Sequence, residues 1–189
     1  RDFCLSRGLG DVYKRQTREF VIGPDNREEM FGHMNALSNA MVCNDIQSMF
    51  DYASTDSAAG GGAVGCVGYC MSGPFAFAAA STHSSRIKAS ASIHGVRLFT
   101  ESEDSPHLEA SKIEGEMYFG CAETDDWAPP EMVEGLDKFL SETGINYQIE
   151  WYPDTHHGFV FPLREGMYHK YSAEKHWERL FALFQRNLH

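Results

Sequence analysis

The stretch AVGCVGYCMSGPFAFAAAS, Ala63 to Ser81, constrains the fold more than any other part of the chain. Its first half is a short apolar run bounded by glycines, the composition of a strand buried on both faces. Its second half is rich in alanine and opens on Gly73-Pro74. Proline suits the first turn of a helix, where its missing N–H would have no partner anyway. Between the halves, Gly68-Tyr69-Cys70-Met71-Ser72-Gly73 must turn the chain sharply from strand to helix. The whole segment is apolar enough to suggest a membrane span, but Gly65, Gly68, Ser72, Gly73 and Pro74 interrupt it, and it divides into strand and helix instead.

The remaining patterns extend that unit. Asn26 with Glu29 three residues on has the form of a capping box. Met30, Met34, Leu37, Met41, Ile46, Met49 and Phe50 follow at helical spacing, as one long helix or two shorter ones ending near Tyr52. STDSAAGGG is a loop by composition. IKASASIHG and GEMYFGCA read as strands, and a helix begins at Pro129 with Met132, Val133, Leu136, Phe139 and Leu140 on one face. Ile145, Tyr147, Ile149 and Trp151 alternate with polar residues as in a strand. Trp177, Leu180, Phe181, Phe184 and Leu188 mark a closing amphipathic helix. Strands alternating with helices in this way predict an α/β fold with a mostly parallel sheet flanked by helices. Residues 1–16, RDFCLSRGLGDVYKRQ, show neither periodicity and read as a non-native or disordered tail, of the kind a translated sequencing adapter leaves. Residues 17–189 then form a single domain.

Charge and cysteine usage narrow the function classes. With 16 basic and 27 acidic residues the formal charge is −11, which repels nucleic acid and anionic lipid. No segment has the apolar run of a signal peptide or of a membrane span, so no membrane partner is expected. Five cysteines, an odd number without regular spacing, do not read as a disulfide framework, and a cytoplasmic location follows most simply. Cys66, Cys70, His94, His156 and His157 are metal-ligand types, but no pair has the spacing of a zinc site, and no metal is expected.

Strand, Gly-x-Cys-x-Ser-Gly, helix is the local form of a nucleophile elbow. The turn puts its central residue in strained backbone geometry, so its neighbours must be small. A thiol there lies near a helix N-terminus, which favours thiolate, and the Met71 N–H is placed to stabilise an oxyanion. Taken alone, the stretch is equally compatible with a buried, inert cysteine. Two later features bear on the choice. Asp125 and Asp126 follow one predicted strand in CAETDDWAPP, and His156 and His157 follow the next in YPDTHHGF. Cysteine, aspartate and histidine therefore occur in the chain order nucleophile, acid, base of the α/β-hydrolases.

GYCMSG, the AETD loop with its following proline, HHGF and the closing AEKHWERLFALFQRNL together resemble the dienelactone hydrolase family, from about Arg27 to the end of the chain. The resemblance implies Cys70 as nucleophile, His157 as base, Asp125 as acid with Asp126 as the alternative, and the Met71 N–H in the oxyanion hole. It implies hydrolysis of a small lactone or ester, such as dienelactone to maleylacetate, through an acyl-enzyme and without cofactor. Three departures follow. The family's early strands, with a second oxyanion donor and a glutamate that meets the resting thiol, have no counterpart, so an N-terminally incomplete member is expected. Phe161 stands four residues after His157, where the resemblance implies a substrate-binding arginine, and Arg164 lies three further on. Ser72 replaces the usual glycine. A general esterase or thioesterase and a non-catalytic binding homologue remain the alternatives, and neither substrate-binding residues nor oligomeric state is assigned. His94, at the end of a strand, is left without a role.

Overall fold

A computed structural model describes residues 24–188. Residues 1–16, read as a tail from the sequence, lie outside them. A turn of 3-10 helix, Pro24–Asn26, leads into α1 (Arg27–Asn35). This segment belongs to a unit, Arg1–Leu37, distinct from the unit Ser38–His189 that holds everything else. The capping box does not form. Asn26 has φ −123° and ψ 26°, outside the extended region a capping side chain needs, and makes no side-chain cap.

The larger unit runs α2 (Asn39–Ser54), β1 (Val64–Tyr69), α3 (Gly73–Thr82), β2 (Ile87–Ile93), β3 (Glu116–Thr124), α4 (Pro130–Ser141), β4 (Asn146–His156) and α5 (Lys170–Asn187). The four strands form one sheet in the order β1-β2-β3-β4. Every pairing is parallel. Of the two alternatives, one long helix or two shorter ones, the structure has two: Ala36 and Leu37 close α1 and Ser38 caps α2 through its Oγ, 3.2 Å from the Met41 N–H.

Both faces of the sheet are covered, which explains the nearly continuous apolar character of its strands. On one face Met117, Phe119 and Cys121 of β3 meet Phe77 to Ala80 of α3 and Val133, Leu136 and Leu140 of α4. On the other, Ala89, Ala91 and Ile93 of β2, Tyr118 and Ala122 of β3, and Tyr152 of β4 meet Leu180 and Leu183 of α5. Small residues in β2 let helices approach closely, and Ser90 Oγ satisfies itself by donating to the Ala76 carbonyl at 2.9 Å. Charge fixes α5 in place: Arg179 Nε lies 2.8 Å from Glu150 Oε2 on β4, and Arg186 Nε 2.7 Å from Glu116 Oε2 on β3.

Where the expected apolar stripes differ from those observed, the cause is which neighbour lies alongside. In α2 the inward stripe is the buried Cys43 with the partly buried Ile46 and Phe50, while Met41 and Met49 are exposed. In α5 Trp177 and Phe181 are exposed and stack on each other, and Leu180 and Leu183 are buried. Strand β4 extends to His156, and its alternation changes partway: Tyr147 and Ile149 pack under α4, whereas Tyr152 is buried under α5 and Trp151 is exposed.

Candidate active site

Cys70 sits at the end of β1 with φ 53°, in the left-handed region that side chains other than glycine rarely adopt. Its surroundings over-determine that geometry. A Cβ on Gly68 would lie 2.0 Å from the Ser72 carbonyl oxygen, and one on Gly73 would lie 2.5 Å from the Gly95 Cα, so neither position admits a side chain without movement. Ser72, the departure from the usual glycine, closes the turn: the Tyr69 N–H donates to its Oγ at 2.8 Å, and Oγ donates back to the Tyr69 carbonyl at 2.8 Å. From the loop after β2, the Val96 N–H donates to the Cys70 carbonyl at 3.2 Å. The elbow is thus clamped on both sides.

The loops after β3 and β4 bring two more of the singled-out residues to the same end of the sheet. His157 Nδ1 lies 2.7 Å from Asp125 Oδ2. The other Asp125 oxygen accepts from the Trp127 and Ala128 N–H groups at 2.9 and 3.0 Å, which locks the carboxylate. Asp125 is 5% exposed, whereas its neighbour Asp126 is exposed. Of the two adjacent histidines, His157 is buried and His156 exposed. With Nδ1 committed to Asp125, the remaining nitrogen of His157 is the one available to the Cys70 thiol.

The electrostatics of this group run against its burial. Burial alone would raise the Cys70 thiol, but hydrogen bonding and charge from His157, the Met71 N–H and the charge of Arg164 bring it below its ordinary value. Burial would lower the His157 imidazole, but its hydrogen bonds to Asp125 and Cys70 push it up to about 9. Opposite shifts in two touching groups are the mark of a thiolate–imidazolium pair. The resting sulfur meets the Met71 N–H, the donor expected for an oxyanion. Arg164 is exposed, yet its side chain folds back against Gly158 and over the Phe161 ring, 5.3 Å from the centroid.

Sequence reasoning left one group here unassigned. His94, 1% exposed and at φ 39°, packs in a T-shaped arrangement with the His157 ring, centroids 4.8 Å apart. Its only sequence signal was its place before Gly95 at a strand end. Cys66, considered as a ligand type with Cys70, instead points at Ser90 Oγ, 3.1 Å away. Among the described residues no group of three or more His, Cys, Asp or Glu is arranged to hold a metal ion, and no helix is long and apolar enough to cross a membrane.

Comparison with known proteins finds relatives over most of the chain. The chain is 28% identical over 184 residues to a Synechocystis sp. protein provisionally named a carboxymethylenebutenolidase, covering 94% of this chain and 73% of that protein. It is 24% identical over 170 residues to a carboxymethylenebutenolidase of Rhodococcus opacus, covering 86% of this chain and 64% of that one. A solved structure from Klebsiella pneumoniae, provisionally named a dienelactone hydrolase, superposes with a TM-score of 0.75 at 22% identity, over 92% of this chain and 72% of that one. That likeness shows the α/β-hydrolase-type fold. Residues 9–188 match the dienelactone hydrolase family, and the chain belongs to it.

Proposed function

We propose that this protein hydrolyses a small ester or lactone with Cys70 as nucleophile, His157 as general acid and base, and Asp125 as the group that orients and charges His157. The observation that carries the reading is the continuous contact from thiol to imidazole to buried carboxylate, with the thiol lowered and the imidazole raised to about 9. The Cys70 sulfur attacks the carbonyl carbon, and the developing oxyanion is met by the Met71 N–H. The carbon–oxygen bond then breaks and His157 gives its proton to the leaving oxygen. In a lactone that oxygen stays tethered, so the ring opens into the acyl-enzyme. Water then attacks the thioester, its proton passing to His157, and the thiolate is restored. No cofactor enters these steps.

The finer assignment is hydrolysis of dienelactone to maleylacetate. Supporting it are the names of the relatives and Arg164, a cation close enough to influence the thiol and suited to a substrate that carries a carboxylate. A specific observation favours a second reading, a general carboxylesterase or thioesterase: position 161 holds a phenylalanine where an arginine is expected. Turnover of an anionic lactone against a neutral aryl ester of similar size separates the two. The first reading requires preference for the anion, and loss of that preference in Arg164→Ala.

Cys43, Cys66, Cys70 and Cys121 are free thiols, which supports a reducing, cytoplasmic setting. Among the described residues β1 pairs with β2 alone, and the chain spans 73% and 64% of the two relatives named above.

A further inference from the structure

His94 is not explained by packing. Its ring lies among aromatic groups: His157 at 4.8 Å, Phe161 at 5.4 Å, Phe159 at 5.9 Å and Tyr69 at 6.1 Å between centroids. Phenylalanine would fill such a box without burying polar atoms. Yet both ring nitrogens of His94 are buried and neither has a hydrogen-bond partner among the described residues. Leaving a buried nitrogen unpaired is destabilising, and native structures contain few such groups. The backbone is strained there too, at φ 39°. It is nonetheless held firmly, because the His94 N–H donates to the Gly120 carbonyl at 2.7 Å and the Val96 N–H, two residues on, donates to the Cys70 carbonyl. An imidazole with spare hydrogen-bonding capacity is therefore fixed against the ring of the reacting imidazole, on a segment clamped to the nucleophile.

The chemical state of the ring suits such a role. Burial and the charge of His157 push it down to about 3, so it stays neutral beside an imidazolium and offers one N–H donor and one lone pair. In the resting pair both His157 nitrogens are engaged, one with Asp125 and one with the thiol. In the acyl-enzyme the sulfur is esterified and His157 has given up its proton, so its thiol-facing nitrogen must receive water. A second fixed group beside it would hold that water in line.

We propose that His94 is a water-positioning residue for the second half of the reaction, holding the hydrolytic water between one of its ring nitrogens and His157 in the acyl-enzyme. The inference rests on the acyl-enzyme reading above. One proton of the water passes to His157, its oxygen bonds to the thioester carbon, and the carbon–sulfur bond breaks with its electron pair returning to sulfur. The products are the free acid and the restored thiolate–imidazolium pair. His94 neither gains nor loses a proton.

The test is pre-steady-state hydrolysis of p-nitrophenyl acetate by the wild type, His94→Phe and His94→Asn, with thermal unfolding of each. The phenylalanine variant keeps the ring and removes the nitrogens. It is expected to fold with an equal or higher Tm, to keep a burst of one p-nitrophenolate per Cys70, and to show a steady-state rate lower by about tenfold or more. Added hydroxylamine, which attacks a thioester directly, should bring its turnover back towards that of the wild type. Asparagine, which keeps a hydrogen-bonding amide, should retain more turnover than phenylalanine, and it also serves should the phenylalanine variant not fold. A wild-type steady-state rate in His94→Phe, or a burst lost along with turnover, would overturn the proposal. A wild type that never forms an acylated Cys70 would instead refute the reading of function on which it rests.

Discussion

Cys66 and Cys70 lie on the same short piece of chain, one inside β1 and the other just past its end. Both are partly buried, and burial acts on both thiols in the same direction. Inside the sheet nothing opposes it strongly: Cys66 has Ser90 Oγ at 3.1 Å, and burial pushes its thiol up to about 11. Past the strand end, His157, the Met71 N–H and Arg164 together outweigh burial, and the Cys70 thiol falls. Cys121 on β3 repeats the behaviour of Cys66. Burial and then the charge of Asp125 push it up to about 12. The carboxylate that opposes ionisation of Cys121 is the one that charges His157 beside Cys70. The middle of the sheet thus keeps a cysteine as a small apolar residue, and the loop-bearing end converts the same side chain into a candidate nucleophile.

The contrast breaks most visibly by removing each sulfur. Cys70→Ala should abolish hydrolysis of an activated ester, a loss of about 10³-fold or more, while the fold persists. Cys66→Ala should leave the rate within about twofold. More than a few per cent of activity in Cys70→Ala would remove the nucleophile from the account. The next largest effect separates the adjacent carboxylates. Asp125→Asn should lower kcat by about 10²–10³-fold, less than the analogous change in a serine triad because a thiol ionises more readily than a hydroxyl. Asp126→Asn, at an exposed position, should be near neutral, and the reverse order in steady-state assays would show that the loop is registered differently in solution.

Smaller effects belong to the scaffold that separates the two environments. Gly68→Ala would set a Cβ 2.0 Å from a backbone oxygen, so the urea unfolding free energy should drop by about 2–3 kcal/mol. Gly61→Ala, with nothing within 4 Å of the added atom, should change it by less than about 0.5 kcal/mol. The pH dependence of stability should reflect His157. Its folded-state value of about 9 lies above the ordinary 6.5, so the native state holds a proton that the unfolded chain has already released. That stabilisation is full below about pH 6.5 and fades as the pH rises through about 9. The urea midpoint of His157→Gln should therefore approach that of the wild type across this window. A gap that widened instead would reverse the sign of the interaction.

Much of this architecture was legible because it depends on local pattern. The run before Cys70, the alanines after it and the alternation of strands with helices sufficed for a parallel α/β sheet. Cys70, the pair Asp125 and Asp126, and the pair His156 and His157 stood out because each follows a strand, and parallel strands deliver their following loops to one end. The resemblance, not the pattern, implied Asp125 and His157 within the pairs. What was not legible depends on partners distant in sequence. Met41 and Trp177 fit helical periodicity yet lie exposed, since α2 and α5 bury only the stripe their neighbours cover. Trp151 fits a period of two, but the other face of β4 takes over at Tyr152. Ser72 read as a mild defect, because its paired hydrogen bonds with Tyr69 exist only once the turn is made. His94 could not be assigned from the sequence, since its meaning lies in the ring it touches and the partners it lacks.

The central claim is that position at the end of β1 activates one thiol and leaves the others inert. Alkylation by iodoacetamide across pH, read cysteine by cysteine by mass spectrometry on the folded protein, tests it directly. The account predicts that Cys70 is modified selectively at neutral pH, with an ionisation midpoint below the ordinary 9.0, and that His157→Ala moves this midpoint upward. A Cys70 that reacts no faster than Cys43, or that titrates at or above pH 9.0 whether or not His157 is present, would contradict it.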